Sequence, residues 1–195
     1  MKNFFYNRDS ELNSISEPMM LLDQGLTLSD QVAFSKQKPD WSREHKGFFS
    51  WNPSRSLLAS LRAYQKWSIS TNPIAMILKK FAVLRHRFWS LITRADIPLN
   101  CKISGGLLIP HPNGIVIHPD ALIGPNCIIF QQVTLGTRND LLPPTIGACV
   151  EIGAGAKIIG PINIGNFVKI GANAVVLTNV PDGKTAVGIP ASIIN

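Results

Sequence analysis

From Ile97 onward, aliphatic residues recur every six positions, at Ile97, Ile103 and Ile109, then at Ile117, Ile123, Ile129 and Leu135. The series resumes at Ile146, Ile152, Ile158, Ile164, Ile170 and Val176. A small or aliphatic residue follows four positions later in most units, among them Cys101, Ala121, Cys127, Val133, Val150, Ala156, Val168 and Ala174. Glycine follows the leading aliphatic directly at Gly124, Gly136, Gly147, Gly153, Gly165 and Gly171. A helix smears a period of six around its surface, and a flat sheet calls for alternation along longer strands. A coil of three short strands per turn accommodates it, with the leading aliphatics inward and glycine relieving the backbone at corners. Three hexads make a rung of about 18 residues, and rungs stack at about 4.8 Å, the ordinary strand spacing. The pattern therefore predicts a β-class fold: a parallel β-helix of hexapeptide repeats.

The repeat breaks twice. Ile109 to Ile117 spans eight residues, so IPHPNGIV contains a two-residue bulge; Leu135 to Ile146 spans eleven, so GTRNDLLPPT is extruded as a loop. Irregularities on a rigid scaffold are where working groups are usually aimed. The segment VPDGKTAVGIPASIIN ends the coil, with its last strand against the side of this coil or of a neighbour. Stacked rungs leave an open end, and the residues before Ile97 are available to cover it.

Before the coil the period changes. Residues 1–50 have no sustained pattern and read as an irregular arm. Residues 54–70 place Leu57, Leu61, Tyr64 and Ile69 near one helical face, with Asn52 or Ser54 as cap and Pro53 at the entry. A second helix follows Asn72-Pro73 as PIAMILKKFAVLRHRFWSLIT, with Met76, Ile77, Lys80, Phe81, Leu84, Phe88 and Leu91 in a broad stripe. The chain thus divides into an arm and short α-helical region, 1–95, and a β-helix domain, 96–195.

Charge sharpens this division. The net charge is +7, yet residues 1–46 hold six basic and seven acidic groups, and residues 103–195 four of each. Residues 47–102 hold nine basic groups against Asp96 alone. Two readings of residues 75–94 follow: a helix packed on the coil's end with a solvated basic rim, or a peripheral membrane contact with anionic lipid. No nucleic-acid-binding motif accompanies the charge, so nucleic acid is not expected as a partner. Three scattered cysteines make neither a disulfide framework nor a metal site, and buried thiols are expected. Arg8 and Asp9 interrupt any signal-like start, and no apolar run is long enough to span a bilayer, so a cytoplasmic location is expected.

Of the four histidines, His45 lies in the arm, His86 beside Arg85 and Arg87 reads as solvated or phosphate-facing, and His118 stands at a corner. His111 lies in the bulge itself, between Pro110 and Pro112. It reads either as a surface turn residue or as a general base, imidazole being the side chain best matched to proton removal near neutrality. Asp96 precedes it by 15 residues, three short of a regular rung, which puts the two on neighbouring corners. Asp96 is then either a turn acid near Arg94 or the carboxylate that orients the ring. No nucleophile–base pair, phosphate loop or metal-ligand cluster accompanies them. Direct attack by an acceptor hydroxyl, deprotonated by His111, asks for least.

The segments ADIPLNCKI, IPHPNGIVIHPDALIG, QQVTLG, IGACVEIGAGAKIIG, IGNFVKIGANAVVL and VPDGKTAVGIPA resemble the serine acetyltransferase branch of the hexapeptide acyltransferases, which includes sugar O-acetyltransferases of surface polysaccharide synthesis. The resemblance covers about residues 72–191. It implies a left-handed parallel β-helix, assembled as a homotrimer that uses acetyl-CoA, with His111 as general base and Asp96 as its partner. It also implies Gly153, Ala154, Ala172 and Lys184 as cofactor neighbours, and Arg138 as an acceptor-binding residue. Serine acetyltransferases commonly carry Arg-His in the extruded loop; here NDLLPPT has no histidine, and Arg138 lies just before it. The acceptor is accordingly serine or a sugar hydroxyl of capsule, exopolysaccharide or lipopolysaccharide, and a non-catalytic β-helix scaffold is the alternative from another class.

Overall fold

A computed structural model describes residues 37–47, 50–139 and 142–194. The expected arm, up to residue 36, lies outside the described residues, as does the tip of the extruded loop at 140–141. Residues Gln37–Asn195 form one compact unit.

The coil has three faces of stacked, parallel strands. The first face holds β1 (Lys102–Ile103), β3 (Leu122–Ile123), β6 (Thr145–Ile146) and β9 (Asn163–Ile164). The second holds β4 (Ile128–Ile129), β7 (Glu151–Ile152), β10 (Lys169–Ile170), β12 (Thr185–Gly188) and the antiparallel β13 (Ala191–Ile194). The third holds β2 (Val116–Ile117), β5 (Thr134–Gly136), β8 (Lys157–Ile159) and β11 (Val175–Val176). Every leading aliphatic of the six-residue series is buried, from Ile97 to Val176. Each such side chain contributes about 2 kcal/mol by leaving water.

The register measures the breaks in the repeat. Asp96 lies beside Val116, Lys102 beside Leu122 and Leu108 beside Ile128, a step of 20 residues, so the bulge adds two to one rung. Val116 pairs with Thr134 at the regular step of 18. Leu122 pairs with Thr145 and Ile128 with Glu151, a step of 23, so the extruded loop adds five without disturbing the pairing. The last step contracts to 16, Lys169 beside Thr185, before β13 turns back along β12 and closes that end.

Two helices close the other end. Helix α1 (Pro53–Ser68) starts where Asn52 Oδ1 accepts the Arg55 N–H, with proline in the first turn. Its Leu57, Leu58 and Leu61 join the coil's core beside Ala95, Ile97 and Leu107. Helix α2 (Pro73–Thr93) begins with Asn72 Oδ1 accepting the Ile74 N–H and stops at Arg94, whose φ of 54° is left-handed. Arg62 of α1 pairs with Glu44 from the 3-10 turn Trp41–Glu44, and also donates to the carbonyls of Ile103 and Ser104. Glu44 in turn accepts the Leu107 N–H at 3.0 Å, so the turn is fastened to the first rung.

The broad stripe of α2 points away from the core: Ile77, Phe81, Leu84, Phe88 and Leu91 are 52–77% exposed. The buried face of α2 is Ala75, Ala82, His86 and Thr93, set against the helix whose Ser56 and Ser60 are also buried. Small residues let the two helices approach closely, and the α1 leucines already fill the coil's end. His86, expected to be solvated, is buried between Ser60 Oγ (3.1 Å) and the Ile97 carbonyl (2.9 Å). Among the described residues no helix is long and apolar enough to cross a membrane.

Candidate active site

The coil turns from its second face to its third through one column of corners. The bulge Pro110–Ile115 is the first of these corners, followed by Phe130–Val133, Gly153–Ala156 and Gly171–Ala174. Main-chain bonds link them: Gln132 N–H donates to Asn113 O, Gly155 N–H to Gln131 O, and Asn173 N–H to Ala154 O, all within 2.8–2.9 Å. At the head of the column, Gly114 N–H donates to Arg94 O at 2.9 Å. Gly114 has a φ of +72°, a conformation open to glycine, and the Gln132 side chain lies 3.2 Å from where a Cβ would stand. The bulge is therefore held from both sides while His111 stays exposed at its tip.

His111 opens into a cleft of about 690 Å³ between the bulge and the helical cap, lined also by Trp51, Ser54, Arg55, Thr93 and Asn113. Among the described residues its ring has no hydrogen-bond partner, so either nitrogen is available to an acceptor. Trp51, Ser54 and Arg55 were not legible as site residues: the sequence marked the start of α1 but not that this start faces the bulge.

Asp96 lies one rung before the bulge, its N–H donating to Ile115 O and its carbonyl accepting from Ile117 N–H. Its side chain is exposed, and among the described residues it makes no hydrogen bond with His111. The bulge explains this offset. It lengthens the rung, so Asp96 stacks beside Val116, five residues beyond His111.

Gly153 and Ala154 form the third corner of the column and Ala172 the fourth, so these three share one edge with His111. Gly155 leaves room for the Asn173 Oδ1, which would lie 2.1 Å from a Cβ there. On the corner between them and the bulge, Gln131 Oε1 is buried without a partner, a position that repeat spacing did not single out. Lys184 stands at the opposite edge of the second face, its carbonyl accepting from Lys169 N–H. Arg138 is exposed on the extruded loop, which leaves the third face at its far corner. Within one chain, Lys184 and Arg138 are thus not gathered with His111, Gly153, Ala154 and Ala172.

Burial pushes the thiols of Cys101 and Cys127 up to about 12, which leaves them protonated and poor nucleophiles. His118 Nδ1 accepts the Asp120 N–H at 3.2 Å. Among the described residues no group of three His, Cys, Asp or Glu is arranged to hold a metal ion.

No protein-family model matches the chain. The serine acetyltransferase of Helicobacter pylori is 46% identical over 106 residues, 53% of this chain and 62% of the relative. That of Haemophilus influenzae is 35% identical over 148 residues, 74% of this chain and 55% of the relative. The chain therefore spans about half to six-tenths of the length of these curated relatives. A soybean serine acetyltransferase complexed with serine superposes with a TM-score of 0.63 at 34% identity, covering 74% of this chain and 58% of that one. A serine acetyltransferase in complex with CoA gives 0.62 at 35% identity over the same shares. With sequence and fold agreeing across three quarters of its length, the chain belongs to the serine acetyltransferase-like family of hexapeptide-repeat, left-handed β-helix proteins.

Proposed function

We propose that the protein is an acetyl-CoA-dependent O-acetyltransferase in which His111 is the general base. The observation that carries this reading is the exposed imidazole of His111 at the head of a corner column that continues through Gly153, Ala154 and Ala172. Gly153, Ala154 and Ala172, none larger than alanine, leave the edge open to an extended pantetheine arm, which carries amide groups. Lys184 borders the same face and is proposed to meet the nucleotide end.

In the reaction, the acceptor oxygen attacks the thioester carbonyl carbon while His111 takes the hydroxyl proton. The C–S bond then breaks, and the leaving sulfur receives that proton from the imidazolium, which yields the acetyl ester and free CoA thiol. Asp96, on the rung stacked against the bulge, is the carboxylate that stabilises the imidazolium. The column leaves one side of the cleft open, and Val116 on the third face is 40% exposed, so we propose a homotrimer in which a neighbour's coil completes the site. Its mass is about 64 kDa from three chains of 21.3 kDa.

The names of the relatives support serine as acceptor, and Arg138 is the residue we propose to hold its carboxylate. A second reading, a sugar hydroxyl, is favoured by the extruded loop, which supplies Arg138 and the exposed Leu142 but no histidine. Thiol release from acetyl-CoA, followed with serine and with a panel of sugars, tests both. Turnover with any hydroxyl acceptor supports the acyltransfer, and the preferred acceptor decides between the two. Absence of thiol release with every acceptor refutes the reading.

A further inference from the structure

The outward side of α2 carries Ile74, Ile77, Phe81, Leu84, Phe88 and Leu91, each 52–77% exposed. Their spacing alternates between three and four residues along the whole helix, so they form one continuous apolar seam. Lys80, Arg87 and Arg94 repeat every seven residues and form an exposed row along one border of that seam. Lys79 and Arg85 are engaged instead with α1, Lys79 over the Tyr64 ring at 5.0 Å and Arg85 beside the Ser56 carbonyl. Between Glu44 and Asp96 the sequence has no acidic residue at all, so nothing on either helix neutralises the row.

We infer that α2 is a peripheral docking surface for an anionic lipid bilayer, lying in the headgroup plane with its seam among the acyl chains. Charge complementarity chooses this occupant. A second copy of α2 would bring its own cationic row against this one, with no carboxylate on either helix hairpin to relieve the repulsion. An anionic surface meets both features at once, since apolar area and basic rim act together in interfacial binding. At about 1.5 Å per residue, α2 offers roughly 30 Å of such a face. The inference stands apart from the acyltransfer reading, because it uses no residue of the His111 site.

The test is co-sedimentation of the whole protein with vesicles of phosphatidylcholine alone and of phosphatidylcholine with about one third phosphatidylglycerol, at low and high salt. Binding is expected on the anionic vesicles at low salt, weakening as salt rises. The Lys80→Glu/Arg87→Glu variant should bind about 25-fold more weakly or worse, at roughly fivefold for each basic group lost. An Ile77→Ser/Phe81→Ser/Leu84→Ser variant, which keeps the charge and removes exposed side chains only, should also lose binding. Three results would each overturn the inference: no partition onto anionic vesicles at low salt, undiminished binding by the seam variant, or a sedimenting mass that falls when the seam is altered, which would make a second copy the occupant. If the seam variant fails to fold, the charge variant and the salt series still decide.

Discussion

Gln132 donates its main-chain N–H to the carbonyl of Asn113 at 2.9 Å, two residues past His111. The bulge is thereby fixed by backbone bonds, and the imidazole contributes nothing to holding it. His111→Ala should therefore leave the melting temperature unchanged and lower turnover by about 10²-fold or more, if the base is removed from the rate-limiting step. Comparable turnover in the folded variant would remove His111 from the mechanism. Asp96→Asn should cost less than His111→Ala and leave acetyl-CoA binding nearly unchanged, since the role proposed for the carboxylate is on the ring rather than on the thioester.

Glu44 and Arg62 form a mostly buried pair with two N–H···O bonds of 2.9 and 3.0 Å, and both also bond the first rung. Removing one partner leaves the other charge buried. Glu44→Ala or Arg62→Ala should each destabilise the fold by about 3 kcal/mol in denaturant titration. The double variant should lose less than the sum, because neither charge then remains unpaired.

Burial holds the His86 imidazole below its ordinary range, against the opposing effect of its hydrogen bonds. The unfolded chain therefore binds a proton, near its ordinary value of about 6.5, that the folded chain resists. Stability from this group is full above that value and is lost as pH falls below it. Thermal melts at pH 7.5 and 5.5 should show the acid loss, and His86→Gln should shrink the difference between the two.

The three thiols should differ in access. Cys101 and Cys127 are buried and held at about 12, whereas Cys149 is half-buried at a corner with a φ of 57°. An aromatic disulfide reagent at neutral pH should label at most one thiol of the folded protein, and all three in denaturant. Rapid labelling of Cys127 in the native chain would show that the coil opens locally.

The coil was legible because its code is local: an aliphatic at every sixth position commits each rung without reference to any other part of the chain. The two breaks were legible for the same reason, and the register returns their lengths as two and five extra residues. What escaped was whatever depends on two elements together. The stripe from Ile77 to Leu91 does not say which side of α2 packs; that is decided by Ala75 and Ala82 meeting an equally small surface on α1. A regular rung would put Asp96 and His111 on neighbouring corners, whereas the bulge that carries His111 lengthens the rung between Asp96 and Val116. The cleft was hidden for a similar reason, since nothing in the stretch Trp51–Arg55 states that its helix starts beside the bulge.

The five residues added between Gly136 and Thr145 leave the ladders on all three faces intact. Length at that corner is thus decoupled from folding. A segment from another member of the family can be spliced in there without rewriting a single strand pair, and a lineage can change what its loop reaches for while inheriting the scaffold whole. If that loop reads the acceptor as proposed, acceptor preference can change there with the coil unaltered.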